Sequence, residues 1–111
     1  MVELTEEQKN LVAQFQAYQQ QLQSLLIQKE SLKLQNFDID KALEELNATK
    51  QKTAYKITGS IMVNKPVEEL KKELNESKET LEVRIESLEK TEERISDKLK
   101  ELQTKLKEVI V

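Results

Sequence analysis

The chain has 111 residues, of which 35% are charged, 37% hydrophobic and 4% aromatic. This length suits one domain, and it offers too little apolar material for a thick globular core. The chain has one Gly, one Pro and no Cys, His or Trp, which excludes thiol nucleophiles, disulfides, zinc fingers and histidine catalysis. A net charge of −3 with only two Arg argues against nucleic-acid binding.

Two further features bear on location. The first ten residues are acidic and do not look like a signal peptide, and no apolar run approaches the ~20 residues of a membrane span. The absence of cysteine suits a reducing compartment. We therefore expect a cytoplasmic protein without a membrane partner.

The first half of the chain has a coiled-coil pattern. Between Leu4 and Leu46, thirteen positions follow one another at alternating steps of four and three residues, and ten of them are apolar. We call such a row of positions a seam. Such a sustained heptad pattern predicts a long helix that packs on a partner. Thr5 and Gln8 form the pattern of a capping box, so we place the helix at about 5–47.

The middle of the chain breaks the heptads and predicts a β-hairpin at about 53–63. Apolar residues alternate at period two around Thr58-Gly59, which is typical of paired strands. Thr58 suits a primed two-residue turn poorly, so a longer loop with a bulge at Gly59 is the alternative.

The second half repeats the coiled-coil pattern. Its seam runs from Val67 to Val109, with eleven of thirteen positions apolar and a stutter at Ser77. Pro66 suits the first turn of a helix, so we expect this helix at about 66–109.

The two seams can be matched by folding the chain at its middle. Pairing residues whose numbers sum to 113 places Leu46 opposite Val67 and Asn36 opposite Ser77, a polar pair that would fix the register. The predicted fold class is mostly α: a long antiparallel two-helix coiled coil with a single β-hairpin at the bend.

The hairpin is a candidate assembly element. A two-stranded sheet is marginal in water, and its unpaired edges favour pairing with hairpins of other chains, as in a shared β-barrel. The alternative is a cap that packs on its own helices. Residues 49–65 carry four Lys and no acid, which indicates either contact with RNA or an acidic partner or, as we prefer, solvated lysines that protect the edges.

The chain ends are a candidate binding surface for other proteins. Residues 10–28 carry no charge and include seven Gln, and the chain ends in three consecutive apolar residues, Val109 to Val111. An exposed, uncharged and partly apolar surface suits apolar partners. The alternative is fraying of the helix ends. Deleting residues 1–12 and 109–111 is expected to weaken capture of unfolded protein without affecting assembly.

Three segments resemble prefoldin, specifically its archaeal beta subunits. The sharpest match is YKITGSIMV (Tyr55–Val63), followed by EELKKEL (Glu68–Leu74) and, more loosely, QLQSLLIQKESL (Gln21–Leu32). The single hairpin favours the beta type over the two-hairpin alpha type, and Pro66-Val67 departs from the polar residues expected at the helix start.

The resemblance implies a hexamer of two alpha and four beta subunits, in which the hairpins build a double β-barrel and the coiled-coil tips hold non-native client proteins. It implies no ATP or other cofactor and transfer of clients to a group II chaperonin. The residues that fall in the assembly hairpin are Tyr55, Ile57, Gly59, Ile61 and Val63. Those that fall in the client-binding tip are Leu4, Leu11, Val12, Phe15, Leu102, Leu106, Val109 and Ile110.

Other functions predict different behaviour. A structural scaffold or filament subunit would use the same hairpin assembly but would not bind clients. A nucleic-acid-binding arm is opposed by the net charge of −3. An enzyme is not expected, because the carboxylates alternate with Lys at the spacing of solvated helix-surface pairs and no Gly-rich phosphate loop is present.

Overall fold

A computed structural model describes residues 4–110, with side chains as far as Val109. The elements in order are helix α1 (Glu6–Ala48), strand β1 (Thr53–Thr58), strand β2 (Ile61–Pro66) and helix α2 (Val67–Ile110). This order confirms the predicted fold class. Both helices run long because the single Gly and the single Pro lie outside them. Across residues 4–110, neither helix has an apolar stretch sufficient to cross a bilayer.

The chain forms two compact units. One contains the chain up to Glu30 and from Glu86 onwards, and the other is Ser31–Ile85. The buried apolar side chains are Leu25, Ile95 and Leu102 in the first unit and Leu32, Val67, Leu70 and Leu81 in the second. All seven occupy predicted seam positions, and the other seam positions are half-buried except for Leu4, Ser77 and Val109, which are exposed. The heptad pattern therefore identified the core correctly.

The predicted register is wrong. In the first unit, Lys29 Nζ lies 2.6 Å from Glu92 Oε2, although a sum of 113 would separate these residues by about 12 Å along the helix axis. Gln8 bonds to the carbonyl of Val109 rather than lying opposite Lys105. Both observed α2 partners, Glu92 and Val109, lie nearer the C-terminus than the predicted register places them. Apolar seam positions can be matched in several registers, and the ion pair selects a register other than the predicted one.

The predicted pairing of Asn36 with Ser77 fails within the second unit. Ser77 is exposed, and Oδ1 of Asn36 is buried without a hydrogen-bond partner. Lys78 is half-buried instead and forms an ion pair with Asp40. The stutter explains this difference: two successive steps of four turn Ser77 out of the seam and bring in the next residue.

The hairpin closes through a two-residue turn, Gly59-Ser60. Thr58 pairs with Ile61, and the register continues to Thr53 opposite Pro66. Gly59 has a φ of 61°, while Ser60 has no positive φ, which is the sign pattern of a type II′ turn. Neither the expected turn at Thr58-Gly59 nor the longer loop with a bulge is present, because glycine supplies the positive φ at the first turn position.

Pro66 ends strand β2 and does not enter helix α2, contrary to the prediction. A two-residue loop makes Thr58 and Ile61 a hydrogen-bonded pair, and alternation then makes Thr53 and Pro66 a non-hydrogen-bonded pair. The missing N–H of Pro66 therefore costs no ladder bond. The following N–H, that of Val67, donates to the carbonyl of Lys52 at 2.9 Å.

Candidate functional site

One face of the hairpin exposes three large apolar side chains. Tyr55, Ile57 and Met62 are 66%, 74% and 65% exposed, and they share a face because Ile57 pairs directly with Met62. We call this set the hairpin face. The sequence also places Met62 on a strand edge that needs cover, but Met62 was not among the five residues assigned to assembly. Its cross-strand pairing with Ile57 is the signal that could have assigned it. An exposed apolar set of this kind is a candidate interaction surface.

The other predicted hairpin residues lie apart from this face. Val63 is half-buried on the opposite face, together with Ile61, which is 58% exposed, and Gly59 forms the turn. Period two in each strand does not show which residues of the two strands share a face, because that depends on the turn. The five predicted assembly residues therefore form two groups.

Glu73 of helix α2 holds two lysines of the opposite hairpin face. Nζ of Lys65 and of Lys56 lie 2.9 and 3.2 Å from its carboxylate oxygens. Lys56 remains exposed, as expected of a solvated lysine, whereas Lys65 is half-buried, contrary to that expectation. Hydrogen bonds donated by Lys65 and then by Lys56 hold the pKa of the Glu73 carboxyl below its ordinary value of 4.5. The ion pairs tie the hairpin to the first turns of α2.

This cluster predicts an acid-sensitive hairpin. A carboxyl whose pKa is lowered in the folded state stabilises that state above pH 4.5, and the contribution is lost as the pH falls through the lowered pKa. The protection of amides in β1 and β2 against exchange, measured relative to the intrinsic rate at each pH and compared with α1, should therefore fall below about pH 4.5. Glu73→Gln should speed exchange at neutral pH and remove most of this pH dependence, whereas Glu76→Gln is the control. Equal pH dependence in both variants would contradict the role of Glu73.

The two chain ends are joined by Gln8. The predicted capping box is confirmed: Thr5 N–H donates to Gln8 Oε1 at 2.8 Å, and Gln8 N–H donates to Thr5 Oγ1 at 3.2 Å. Nε2 of the same side chain donates to the carbonyl of Val109 at 3.2 Å. Leu4 and Val109, which adjoin these bonds, are 37% and 40% exposed. We call Leu4 and Val109 the chain-end surface.

The predicted tip residues differ widely in exposure. Leu102 is only 1% exposed, so it belongs to the core of the first unit and not to a binding surface. Half-buried positions are Leu11, Val12, Phe15 and Leu106. The side chain of Ile110 and the whole of residues 1–3 and Val111 lie outside the described residues. A heptad pattern assigns residues to the seam but does not show how far the packing reaches at a helix end.

Gln8→Ala should loosen the start of α1. The change removes one bond of the cap and the bond to Val109, each worth about 0.5–1.5 kcal/mol. Amide exchange in the first turn of α1 should speed up accordingly, while Gln19→Ala, an exposed position on the same helix, should leave it unchanged. No difference between the two variants would show that Gln8 does not hold the chain ends together.

Lys29 and Glu92 form a polar pair within the apolar seam. Their side chains are only 16% and 27% exposed, and the hydrogen bond to Glu92 raises the pKa of Lys29. The pair resists a shift of one helix along the other, because a shift would leave two opposite charges half-buried and unpaired. Both residues are polar seam positions of opposite charge in the sequence, and this charge pattern is the signal that could have indicated the register.

The hairpin face and the chain-end surface present apolar side chains instead of ligating ones. Among residues 4–110, no three acidic, His or Cys side chains are grouped so as to hold a metal ion. Exposed apolar side chains of this kind bind other apolar surfaces by excluding water. The chemistry that the two surfaces offer is therefore noncovalent association.

Comparison with known proteins identifies the family. A prefoldin subunit family model matches residues 9–111. The prefoldin subunit beta of Archaeoglobus fulgidus is 41% identical over 75 residues, which cover 67% of this chain and 65% of that protein. That of Thermococcus onnurineus is 36% identical over 69 residues, covering 58% and 60%. The chain thus matches just under two thirds of the length of these relatives.

A solved structure agrees over nearly the whole chain. The crystal structure of the prefoldin beta subunit from Thermococcus strain KS-1 superposes with a TM-score of 0.87 at 33% identity, covering 97% of this chain and 96% of that one. The family model and this structure both include the hairpin and most of each helix. The chain therefore belongs to the prefoldin subunit family and is similar to its archaeal beta subunits.

Proposed function

We propose that the protein is a subunit of an ATP-independent chaperone that holds non-native proteins and delivers them to a group II chaperonin in the cytoplasm. The observation that carries this proposal is the chain-end surface, where Leu4 and Val109 are partly exposed beside a hydrogen-bonded junction of the two helix ends. Non-native proteins expose apolar segments that such a surface can cover. Capture of this kind needs neither a catalytic residue nor a cofactor.

We further propose that the working form is a hexamer of two alpha and four beta subunits, assembled through the hairpins. The hairpin face supports this, because an isolated two-stranded sheet is marginal in water and this one exposes three large apolar side chains. Assembly would bring several chain-end surfaces to one client. Weak contacts made together hold the client more tightly than any single contact does.

Light scattering of an aggregating client tests the proposal. The complex formed with an alpha subunit should suppress the scattering without ATP, and adding a group II chaperonin should release the client for folding. The unassembled chain should suppress aggregation less well, since it lacks multivalency. Aggregation at the same rate with and without the complex would reject the chaperone role.

A structural scaffold or filament subunit is the second candidate. This function is favoured because the side chains of the hairpin face are 65–74% exposed, whereas those of the chain-end surface are only 37–40% exposed. The hairpin therefore offers more apolar surface for assembly than the chain ends offer for client binding. A scaffold would assemble through the hairpins but would leave client aggregation unchanged. Sedimentation and light scattering on one preparation therefore separate the two functions.

A further inference from the structure

A groove with glutamine walls runs along helix α1 in the first unit. Its polar lining consists of Gln20, Gln21, Ser24 and Gln28 of α1 and Thr91 of α2. The buried side chains of Leu25 and Ile95 contribute to its floor. Its volume is about 540 Å³. Neither the core nor the chain-end surface accounts for these glutamines. We call this feature the glutamine groove.

The groove offers neutral hydrogen-bonding groups. A glutamine amide has two N–H donors and an acceptor oxygen, the same types of group as a peptide bond. Within residues 4–110, the side-chain amides of Gln20, Gln21 and Gln28 have no hydrogen-bond partner in the protein. No charged side chain lines the groove. Arg94 donates a hydrogen bond to the hydroxyl of the lining residue Thr91, but the lining side chains themselves are uncharged. The lining therefore matches a neutral polar ligand.

The dimensions fit a short stretch of extended chain. The part of α1 that lines the groove, from Ala17 to Gln28, is about 16 Å long at 1.5 Å per residue. An extended polypeptide of five residues has about the same length at ~3.3 Å per residue. Gln21 and Gln28 are two turns apart on one face of the helix, so both can reach the same extended segment.

We infer that the glutamine groove binds the main chain of an extended, unfolded polypeptide through hydrogen bonds from Gln20, Gln21 and Gln28. Every non-native client has this main chain whatever its side chains, so the groove recognises lack of folding and not a sequence. The inference rests on the proposed function and names the part of the client that this groove recognises. The chain-end surface, in contrast, selects apolar side chains.

Paired triple variants test the inference on the full chain assembled with an alpha subunit. The groove variant is Gln20→Ala, Gln21→Ala and Gln28→Ala. The control variant, Gln16→Ala, Gln19→Ala and Gln23→Ala, makes the same change at exposed positions of α1 outside the groove. Fluorescence anisotropy with a labelled, reduced and carboxymethylated protein measures the Kd of each. We expect the groove variant to raise the Kd about tenfold, the effect of losing two neutral hydrogen bonds, and the control variant to leave it within about twofold of the wild type.

A second probe separates main-chain from side-chain recognition. Two labelled twelve-residue peptides of Ala, Ser and Leu have the same side chains, but one is N-methylated at alternate main-chain amides. The wild-type complex should bind the unmethylated peptide more tightly, and the groove variant should lose this preference. Equal binding of both peptides by the wild type, or unchanged Kd values in the groove variant, would overturn the inference while leaving the chaperone proposal intact. Failure of the wild type to bind the carboxymethylated protein would instead overturn both.

Discussion

Ile57→Lys is expected to prevent assembly and leave folded single chains. Ile57 is 74% exposed on the hairpin face, so the isolated chain tolerates a lysine there. If a partner subunit covers this face, the variant would bury an unpaired ammonium at a cost of several kcal/mol. That cost exceeds the free energy that burying one apolar side chain of this size contributes to assembly. Native mass spectrometry should show the mass of a single chain, and circular dichroism should show unchanged helix content.

Val83→Lys is the matched control for this variant. Val83 is 66% exposed on α2 in the same unit, and it receives the same apolar-to-lysine change away from the hairpin. It should assemble as the wild type does. Assembly of the Ile57→Lys variant to the full mass would show that the hairpin face is not the interface, and loss of assembly in both variants would indicate a general effect of added charge.

Leu102→Ala is expected to have the largest effect on stability. Leu102 has the lowest exposure of the described residues, at 1%, and truncation leaves a cavity where both helices pack in the first unit. Substitutions of this type cost about 2–5 kcal/mol. Urea unfolding followed by circular dichroism should show a lower midpoint with a similar slope.

Val109→Ala tests the opposite expectation at the nearby chain end. Val109 is 40% exposed, so its truncation should cost less than about 1 kcal/mol. The two variants together separate core from binding surface among the tip residues that the resemblance implied. Equal losses of stability in both variants would mean that the chain-end surface is part of the core.

The heptad pattern predicted the fold and the core because it depends on one helix at a time. Apolar residues at steps of four and three mark the buried side of each helix wherever the partner lies. The register needs information about both helices, and apolar residues of similar size leave several alignments possible. Lys29 and Glu92 resolve that choice through charge, which the apolar matching ignored. The hairpin turn also lies one residue later than predicted, because Gly59 rather than Thr58 is its first residue.

The candidate sites were predicted less completely than the fold. Val109 is exposed and Leu102 is buried although both are seam residues, because exposure near a helix end depends on what covers it. Met62 joins Tyr55 and Ile57 only through the pairing of two strands. The role of Glu73 depends on contacts between α2 and the hairpin that no local pattern contains.

Client capture by a chain-end double variant tests the central claim most directly. Leu4→Ser with Val109→Ser removes the exposed apolar atoms of the chain-end surface. Leu26→Ser with Ile27→Ser removes apolar atoms that are at least as exposed, elsewhere in the same unit. Both should assemble with an alpha subunit. In light scattering of an aggregating client, the first variant should lose most of its suppression and the second should retain it. Full suppression by the chain-end variant would contradict the assignment of client binding to this surface.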